Sequence, residues 1–399
     1  MTKYSRITPE GTKDYLFEEC SVRREVENTL AGVFLSHGFH EVVTPGLEFY
    51  DVFDPDFSGI GQEVMYKMTD RKGRLLVMRP DSTIPIARLA ATRLQNLPKP
   101  IRLFYNQPIY RNHPGLTGRS NENVQTGVEL LGAEGFRADL ETVSTAVEVL
   151  SQCIPDFRLE LGHADFFRIL SKQLPVSDES RENIRRAIGT KNYTVLHEML
   201  SGINSPQARA LMELPHLFGG EDVFERAAAD CPRELIPTLD YLHRLYHALS
   251  EYGLGSRLIV DLGLVQRNDY YTGVVFSAYV ENCGESVLLG GRYDHLAEHF
   301  GPSMPSIGFG VNVDAVSRAI LAHRSDCRIE PAEVLIHGED GYEVKALRYF
   351  SELMKKKVRC ENSVFRTHRE ALAYANEAGI RQVDFVGPDI QTVLTGRKK

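Results

Sequence analysis

No stretch of the 399-residue sequence approaches the roughly 18 consecutive apolar residues that a membrane-spanning helix needs. The first dozen residues, Met1 to Thr12, are polar and lack the apolar core of a secretory signal. Together these absences lead to the expectation of a cytoplasmic protein. Positive charge is also scarce: 46 Lys and Arg face 54 Asp and Glu, a net charge of −8. That is not the footprint of a dedicated nucleic-acid binder. Cysteines number only six, at positions 20, 153, 231, 283, 327 and 360. They form no C-x-x-C pair, which points away from a zinc site or a disulfide framework and toward buried, reduced thiols. Neither repeats nor low-complexity tracts occur.

What is present is an ordinary globular composition, 42% hydrophobic and 25% charged, long enough for two or three domains. Val22, Val26, Leu30, Val33 and Phe34 recur at helical spacing, and Gly38 closes that helix. An extended piece, Glu41 to Thr44, ends at Pro45. Leu75–Met78 reads as a strand that turns through Arg79-Pro80-Asp81-Ser82 into a helix reaching Arg93. Residues 101–131 read as antiparallel strands around a loop, His113 to Glu122. From about 164 to 255 the pattern is almost wholly helical, which suggests an insertion between two sheet-forming blocks. Beyond Pro331 a β-α-β-α-β pattern marks a small separate α/β domain. The expected organisation is thus a first domain over 1–325 and a second over 331–399.

One strand is the most informative. Period-2 alternation in Glu122–Leu131 puts Gln125, Gly127 and Glu129 on one face. Gln125 and Glu129 are then ~13 Å apart at Cα, and the glycine between them leaves room for a small zwitterion to lie on the strand. A solvent-facing strand surface is the alternative. Asp81 at a turn, Arg111 at a strand end, and the acid and phenols of Asn268-Asp269-Tyr270-Tyr271-Thr272-Gly273 add partners for an ammonium, a carboxylate and an imidazole.

These same residues carry a resemblance. Thr8–Asp14, Gly38–Pro45, Tyr110 through Glu129, Asp269–Gly273 and Gly290–Asp294 resemble the N-terminal, dimer-interface, second-class and two histidine-specific motifs of the histidyl-tRNA synthetase family. The resemblance spans most of residues 4–324. It implies an α+β class II aminoacyl-tRNA synthetase-like fold: an antiparallel sheet of six or seven strands flanked by helices. It also implies a histidine pocket lined by Asp81, Thr83, Arg111, Gln125, Glu129, Tyr270, Tyr271 and Tyr293. In the family's pattern Glu129 and Tyr271 hold the imidazole, and Asp81 and Gln125 the amine.

The departures from that pattern are informative. An arginine is expected three places before Asp269; Gln266 stands there, and Arg267 is out of register. The third class motif, Gly308–Ala315, has Ala315 in place of an ATP-clamping arginine. The loop 113–122 also departs from the family's pattern, although it keeps Arg119. Each missing cation costs on the order of 10²-fold or more in rate, so adenylate synthesis is expected to be negligible. The Asp81-Ser82-Thr83 run resembles the regulatory subunits of short-form ATP phosphoribosyltransferase more than the synthetases. That implies a non-catalytic chain with L-histidine as effector and no cofactor. Its implied partners are a catalytic ATP phosphoribosyltransferase chain and a second copy of itself, within a hetero-octamer. Residues 331–399 resemble a shortened anticodon-binding domain, and tRNA is not an expected partner. Two readings stay open beside this one: an active synthetase with altered motifs, and a binding module for another metabolite.

Overall fold

The computed structural model describes residues 4–113, 119–229, 231–266, 270–281, 283–324 and 330–396. The chain divides into two compact units, Met1–Ser325 and Asp326–Lys399.

The first unit is built on a nine-stranded sheet. Its strands run in the order His40–Glu41, Ile101–Tyr110, Glu122–Leu131, Ser306–Asn312, Leu288–Arg292, Val274–Tyr279, Arg158–His163, Leu258–Asp261 and Phe218–Gly219. The six strands from Ile101–Tyr110 to Arg158–His163 pair antiparallel throughout. His40–Glu41 and Leu258–Asp261 join them in parallel, and Phe218–Gly219 closes the far edge antiparallel to Leu258–Asp261, so the sheet is larger than the expected six or seven strands and includes two parallel pairings.

Alternation in the central strands sorts the two faces. Val124, Val128 and Leu130 point to one side, where they meet Val26, Leu30 and Phe34 of helix Phe17–Ser36 and Val147 and Leu150 of helix Phe136–Cys153. Gly38, with φ +77°, ends the first of these helices in the left-handed conformation. Leu131 points to the other side. There it packs with Tyr105, Ile86 and Ala90, the last two from helix Thr83–Thr92. That helix begins without help from the Ser82 side chain. The Asp81 carboxylate instead accepts the Ile84 N–H at 3.0 Å, satisfying a backbone donor of the first turn.

Between Arg158–His163 and Leu258–Asp261 the described residues are mostly helical, and the two-residue strand Phe218–Gly219 interrupts them. A small three-stranded sheet, Leu47–Phe49, Leu75–Met78 and Lys67–Thr69, stands apart from the large one. Its first and third strands have no clear sequence pattern, being three residues long. None of the five described cysteines is fully buried, contrary to expectation; Cys20 is exposed and the others are half-buried, all as free thiols, while Cys327 lies outside the described residues.

The second unit is a four-stranded sheet in the order Cys360–Asn362, Val334–Gly338, Gln382–Val386, Ile390–Leu394. One helix covers each face. Glu343–Lys355 packs Ala346 on Val334 and Ile336; His368–Ala378 packs Ala371 and Ala375 on Leu335 and Val383. A capping box between Thr367 and Glu370 fixes the start of the latter. The closing antiparallel strand, Ile390–Leu394, extends the expected β-α-β-α-β order by one element.

Arg79 holds the turn ahead of helix Thr83–Thr92. It is almost fully buried, and its guanidinium donates to the carbonyls of Thr44 (2.6 Å), Pro45 (2.9 Å) and Pro108 (2.7 and 3.1 Å). A planar guanidinium fork spans these three carbonyls with donors set apart from one another, whereas an ammonium presents its three donors from a single shorter-reaching point. Arg79→Lys is therefore expected to destabilise the chain by about 2–4 kcal/mol, a fall in Tm of roughly 5–10 °C by calorimetry; an unchanged Tm would contradict this role.

Candidate functional site

Glu129 sits at the centre of the site. It is fully buried on the strand Glu122–Leu131. Its Oε1 accepts the Thr83 hydroxyl at 2.7 Å and its Oε2 accepts the Tyr293 hydroxyl. Burial pushes the Glu129 carboxyl up to about 8, and the nearby Asp81 carboxylate adds to the push, while the two hydroxyls oppose it. The carboxylate fits only because the paired strand offers no side chain beneath it. A Cβ at Gly308 would stand 1.9 Å from Glu129 Oε2. Gly310 makes the same room for Gln125, whose Nε2 would lie 2.4 Å from an added Cβ. Gly291, on the next strand, accommodates the Tyr271 ring at 2.7 Å. The floor of the site is thus paved with glycines so that neighbouring polar and aromatic groups can lie flat on the sheet.

Gly127 behaves differently from expectation. The space above it is not open to a ligand, because the Tyr105 phenol from the adjacent strand fills it, with Oη 2.6 Å and Cζ 2.8 Å from where a Cβ would be. Nor is the strand face solvent-exposed; Gly127 and Glu129 are both buried.

The remaining expected residues take distinct places. Asp81 is buried, and burial holds its carboxyl above the ordinary value against the pull of Arg111 and the Ile84 N–H. Arg111 donates from Nε to the Pro80 carbonyl at 2.8 Å, and its Nη2 lies 3.9 Å from Asp81 Oδ2. Tyr271 and Tyr293 both contact the Tyr270 ring, at centroid separations of 4.8 and 5.8 Å. Tyr270 itself belongs to an apolar cluster with Val52, Phe53 and Ile84, so it supports the pocket wall. Gln125 is half-buried, and its Oε1 has no hydrogen-bond partner among the described residues. Ser82 Oγ is likewise buried without a partner among the described residues, and the buried Tyr105 hydroxyl lies beside Thr83. An orphaned acceptor on the same strand face as the buried Glu129 suits a polar ligand, since such atoms are costly when left unpaired. Asp269, like Arg267 and residues 114–118, lies outside the described residues.

A brace behind the pocket escaped sequence reasoning. Arg292 is buried and donates to Asp139 Oδ1 from Nε at 2.8 Å, to the Ala133 carbonyl at 3.0 Å and to Asp294 Oδ1 at 3.0 Å. Tyr241, on the helix Ile236–Glu251, donates to the second Asp139 oxygen. Thr272 and Asp294 bond to each other, with Thr272 Oγ1 to Asp294 Oδ2 at 2.9 Å and Asp294 N–H to Thr272 Oγ1 at 3.0 Å. The segments that present Tyr271 and Tyr293 are thereby locked together.

Gln266 donates to Ser277 Oγ at 2.8 Å, and its carbonyl accepts from Arg185. Arg168, Arg181 and Arg185 line a cavity of about 320 Å³ beside Gln266 and Tyr271. Each is already paired with a carboxylate three residues away: Asp165, Asp178 and Glu182 respectively. Ala315 is fully buried in the first turn of helix Val313–His323, within the core on the opposite face of the sheet. Among the described residues no three His, Cys, Asp or Glu side chains converge as metal ligands, and no helix is long and apolar enough to cross a membrane.

A class II sheet with a glycine-floored, carboxylate-centred pocket defines a histidyl-tRNA synthetase-like protein, and the chain belongs to that family: the histidyl-tRNA synthetase family model matches residues 11–316. Within the family, its relatives include ATP phosphoribosyltransferase regulatory subunits. That of Clostridium botulinum (strain Langeland) is 36% identical over 392 residues, 97% of this chain and 92% of the relative. That of Clostridium kluyveri is 36% identical over 387 residues, 96% of this chain and 99% of the relative. A crystal structure described as an ATP phosphoribosyltransferase regulatory subunit/histidyl-tRNA synthetase from Bacillus halodurans superimposes with a TM-score of 0.83 at 27% identity, covering 97% of this chain and all of that one.

Because Glu129 titrates higher in the folded chain than its ordinary 4.5, the folded state holds an extra proton between that value and about 8. The associated stability is fully present below 4.5 and is lost as pH rises through 8. Glu129→Gln removes this titration. The variant is expected to gain stability relative to the parent chain between about pH 5 and about pH 9 in urea unfolding; a difference that does not change with pH would contradict the buried-carboxylate assignment.

Proposed function

We propose that this chain is the non-catalytic regulatory subunit of an ATP phosphoribosyltransferase, acting in histidine biosynthesis, and that it binds L-histidine as feedback effector. In this reading Glu129 accepts a ring N–H and Tyr271 closes on the imidazole. Asp81 and Gln125 Oε1 take the ammonium, with Thr83 beside them. Arg111 faces the carboxylate, and Tyr270 and Tyr293 hold the wall. The observation that carries the reading is a contrast. The recognition groups converge around a buried carboxyl and the unpartnered Gln125 Oε1, while Gln266, beside the pocket, brings no positive charge there.

The catalytic partner is a separate chain that joins ATP to phosphoribosyl pyrophosphate. Feedback requires that histidine bind the active and inhibited states with different affinity, a coupling of about 1–3 kcal/mol. Self-association into a dimer is supported by the small three-stranded sheet, which exposes Leu47, Phe49, Met68 and Leu75. Val43, 73% exposed, lies just before it in sequence. Scattered apolar residues are ordinary, but several on one small sheet suit an interface. A cytoplasmic location goes with this role.

Calorimetry on the full chain is expected to show one histidine bound per chain, and Glu129→Ala is expected to abolish the signal. Histidine-dependent exchange of pyrophosphate into ATP is expected to be undetectable. Tight binding of a different metabolite with none of histidine, or robust exchange, would overturn the proposal.

A further inference from the structure

The inserted helices hold the segment that presents Tyr270 and Tyr271 from both sides. Ahead of it, Arg185 on the helix Asp178–Gly189 donates to the Gln266 carbonyl. Behind it, the N–H of Ala164, where the helix Ala164–Lys172 begins, donates to the Gly273 carbonyl at 2.9 Å. A third tie comes from further off. Tyr241, on the helix Ile236–Glu251, makes T-shaped contacts with the Phe136 and His163 rings, at centroid separations of 6.0 and 6.2 Å, and its hydroxyl donates to Asp139 Oδ2. Arg292 donates to Asp139 Oδ1 and to Asp294, and Thr272, next to Tyr271, donates to Asp294. Apolar packing does not fill the gap behind this segment. The cavity of about 320 Å³ lies between the helices Ala164–Lys172 and Asp178–Gly189 on one side and Gln266, Tyr271 and Val275 on the other. A wall with a cavity behind it is placed there by the few directional bonds that reach it rather than by close packing.

We infer that the inserted helical block is the adjustable wall of the ligand site, and that Tyr241 is the positioning residue through which the helix Ile236–Glu251 sets the site's affinity. This rests on the histidine-binding reading and adds a means of regulating that site. Tyr241 takes one Asp139 oxygen and leaves the other to Arg292. With both oxygens engaged the carboxylate has one orientation, and Arg292 keeps its remaining donor on the Ala133 carbonyl and Asp294. Without the hydroxyl, the buried Asp139 lacks a partner on one oxygen, and Arg292 turns toward it. Thr272 then loses the fixed Asp294 that places its neighbour Tyr271. A displacement of the block acts through the same bonds. Block position and affinity are linked reciprocally, so the ligand must in turn steady the block.

The test uses the full chain. Tyr241→Phe keeps the ring and removes the bond to Asp139; its histidine Kd by calorimetry is expected to rise about fivefold or more. Val223→Ala is the control for lost stability. Val223 is fully buried on the helix Asp222–Ala229 and makes none of these bonds, so its truncation is expected to lower Tm and leave Kd unchanged. In the parent chain, histidine is expected to slow amide exchange at Ala164 and along Ile236–Glu251. An unchanged Kd in Tyr241→Phe would overturn the inference. So would an equal loss of affinity in Val223→Ala, because binding would then merely follow stability. Exchange in the block that histidine does not alter would overturn it without recourse to any variant. Each of these outcomes leaves the histidine reading intact. If the parent chain binds no histidine, that reading fails and the inference fails with it.

Discussion

A carboxylate with no cation beside it, sealed against the middle of a sheet, sets the terms for the rest of this structure. Glu129 has hydroxyl donors on both oxygens and, among the described residues, no lysine or arginine in contact. Such a group is tolerable only where its surroundings are fixed. The strand opposite must present glycine at 308, or the carboxylate has nowhere to lie. Thr83 must be delivered by a helix whose start is set by Asp81 and whose preceding turn is pinned by Arg79. Tyr293 must be delivered by a strand end that Arg292 ties to Asp139. Removing any of these leaves a buried carboxyl short of hydrogen-bond partners, which costs more than a single complete interaction contributes.

The brace around Arg292 also shows how the inserted helices reach the pocket. Tyr241 comes from the helical block between Arg158–His163 and Leu258–Asp261, and it shares Asp139 with Arg292. Thr272 and Asp294 then connect Arg292 to the segment bearing Tyr271. The helical block and the pocket wall are therefore joined by one continuous hydrogen-bond network centred on the buried Arg292–Asp139 pair.

Much of this was legible from sequence because it depends on local periodicity. Alternation placed Gln125, Gly127 and Glu129 on one face, and the helical spacing of Val22 through Phe34 placed the long helix to within a residue. What depends on register was not legible. Gly127 looked like a vacancy for a ligand, and only the pairing Tyr105↔Gly127 reveals that a phenol from another strand fills it. Tyr105 itself had no motif to announce it. Arg292 sits inside a recognition segment, but strand alternation turns its side chain away from Gly291 and Tyr293, into the brace. The three-residue strands around Leu75–Met78 fall below the length at which a period shows.

The account's central claim is that histidine regulates a partner's reaction through this pocket. The most direct measurement reconstitutes the chain with a catalytic ATP phosphoribosyltransferase subunit and titrates the complex's activity with histidine. The account predicts inhibition that follows histidine concentration with the parent chain, and that disappears with Glu129→Ala while the two chains still co-elute. Inhibition of the same midpoint and depth with Glu129→Ala would contradict it.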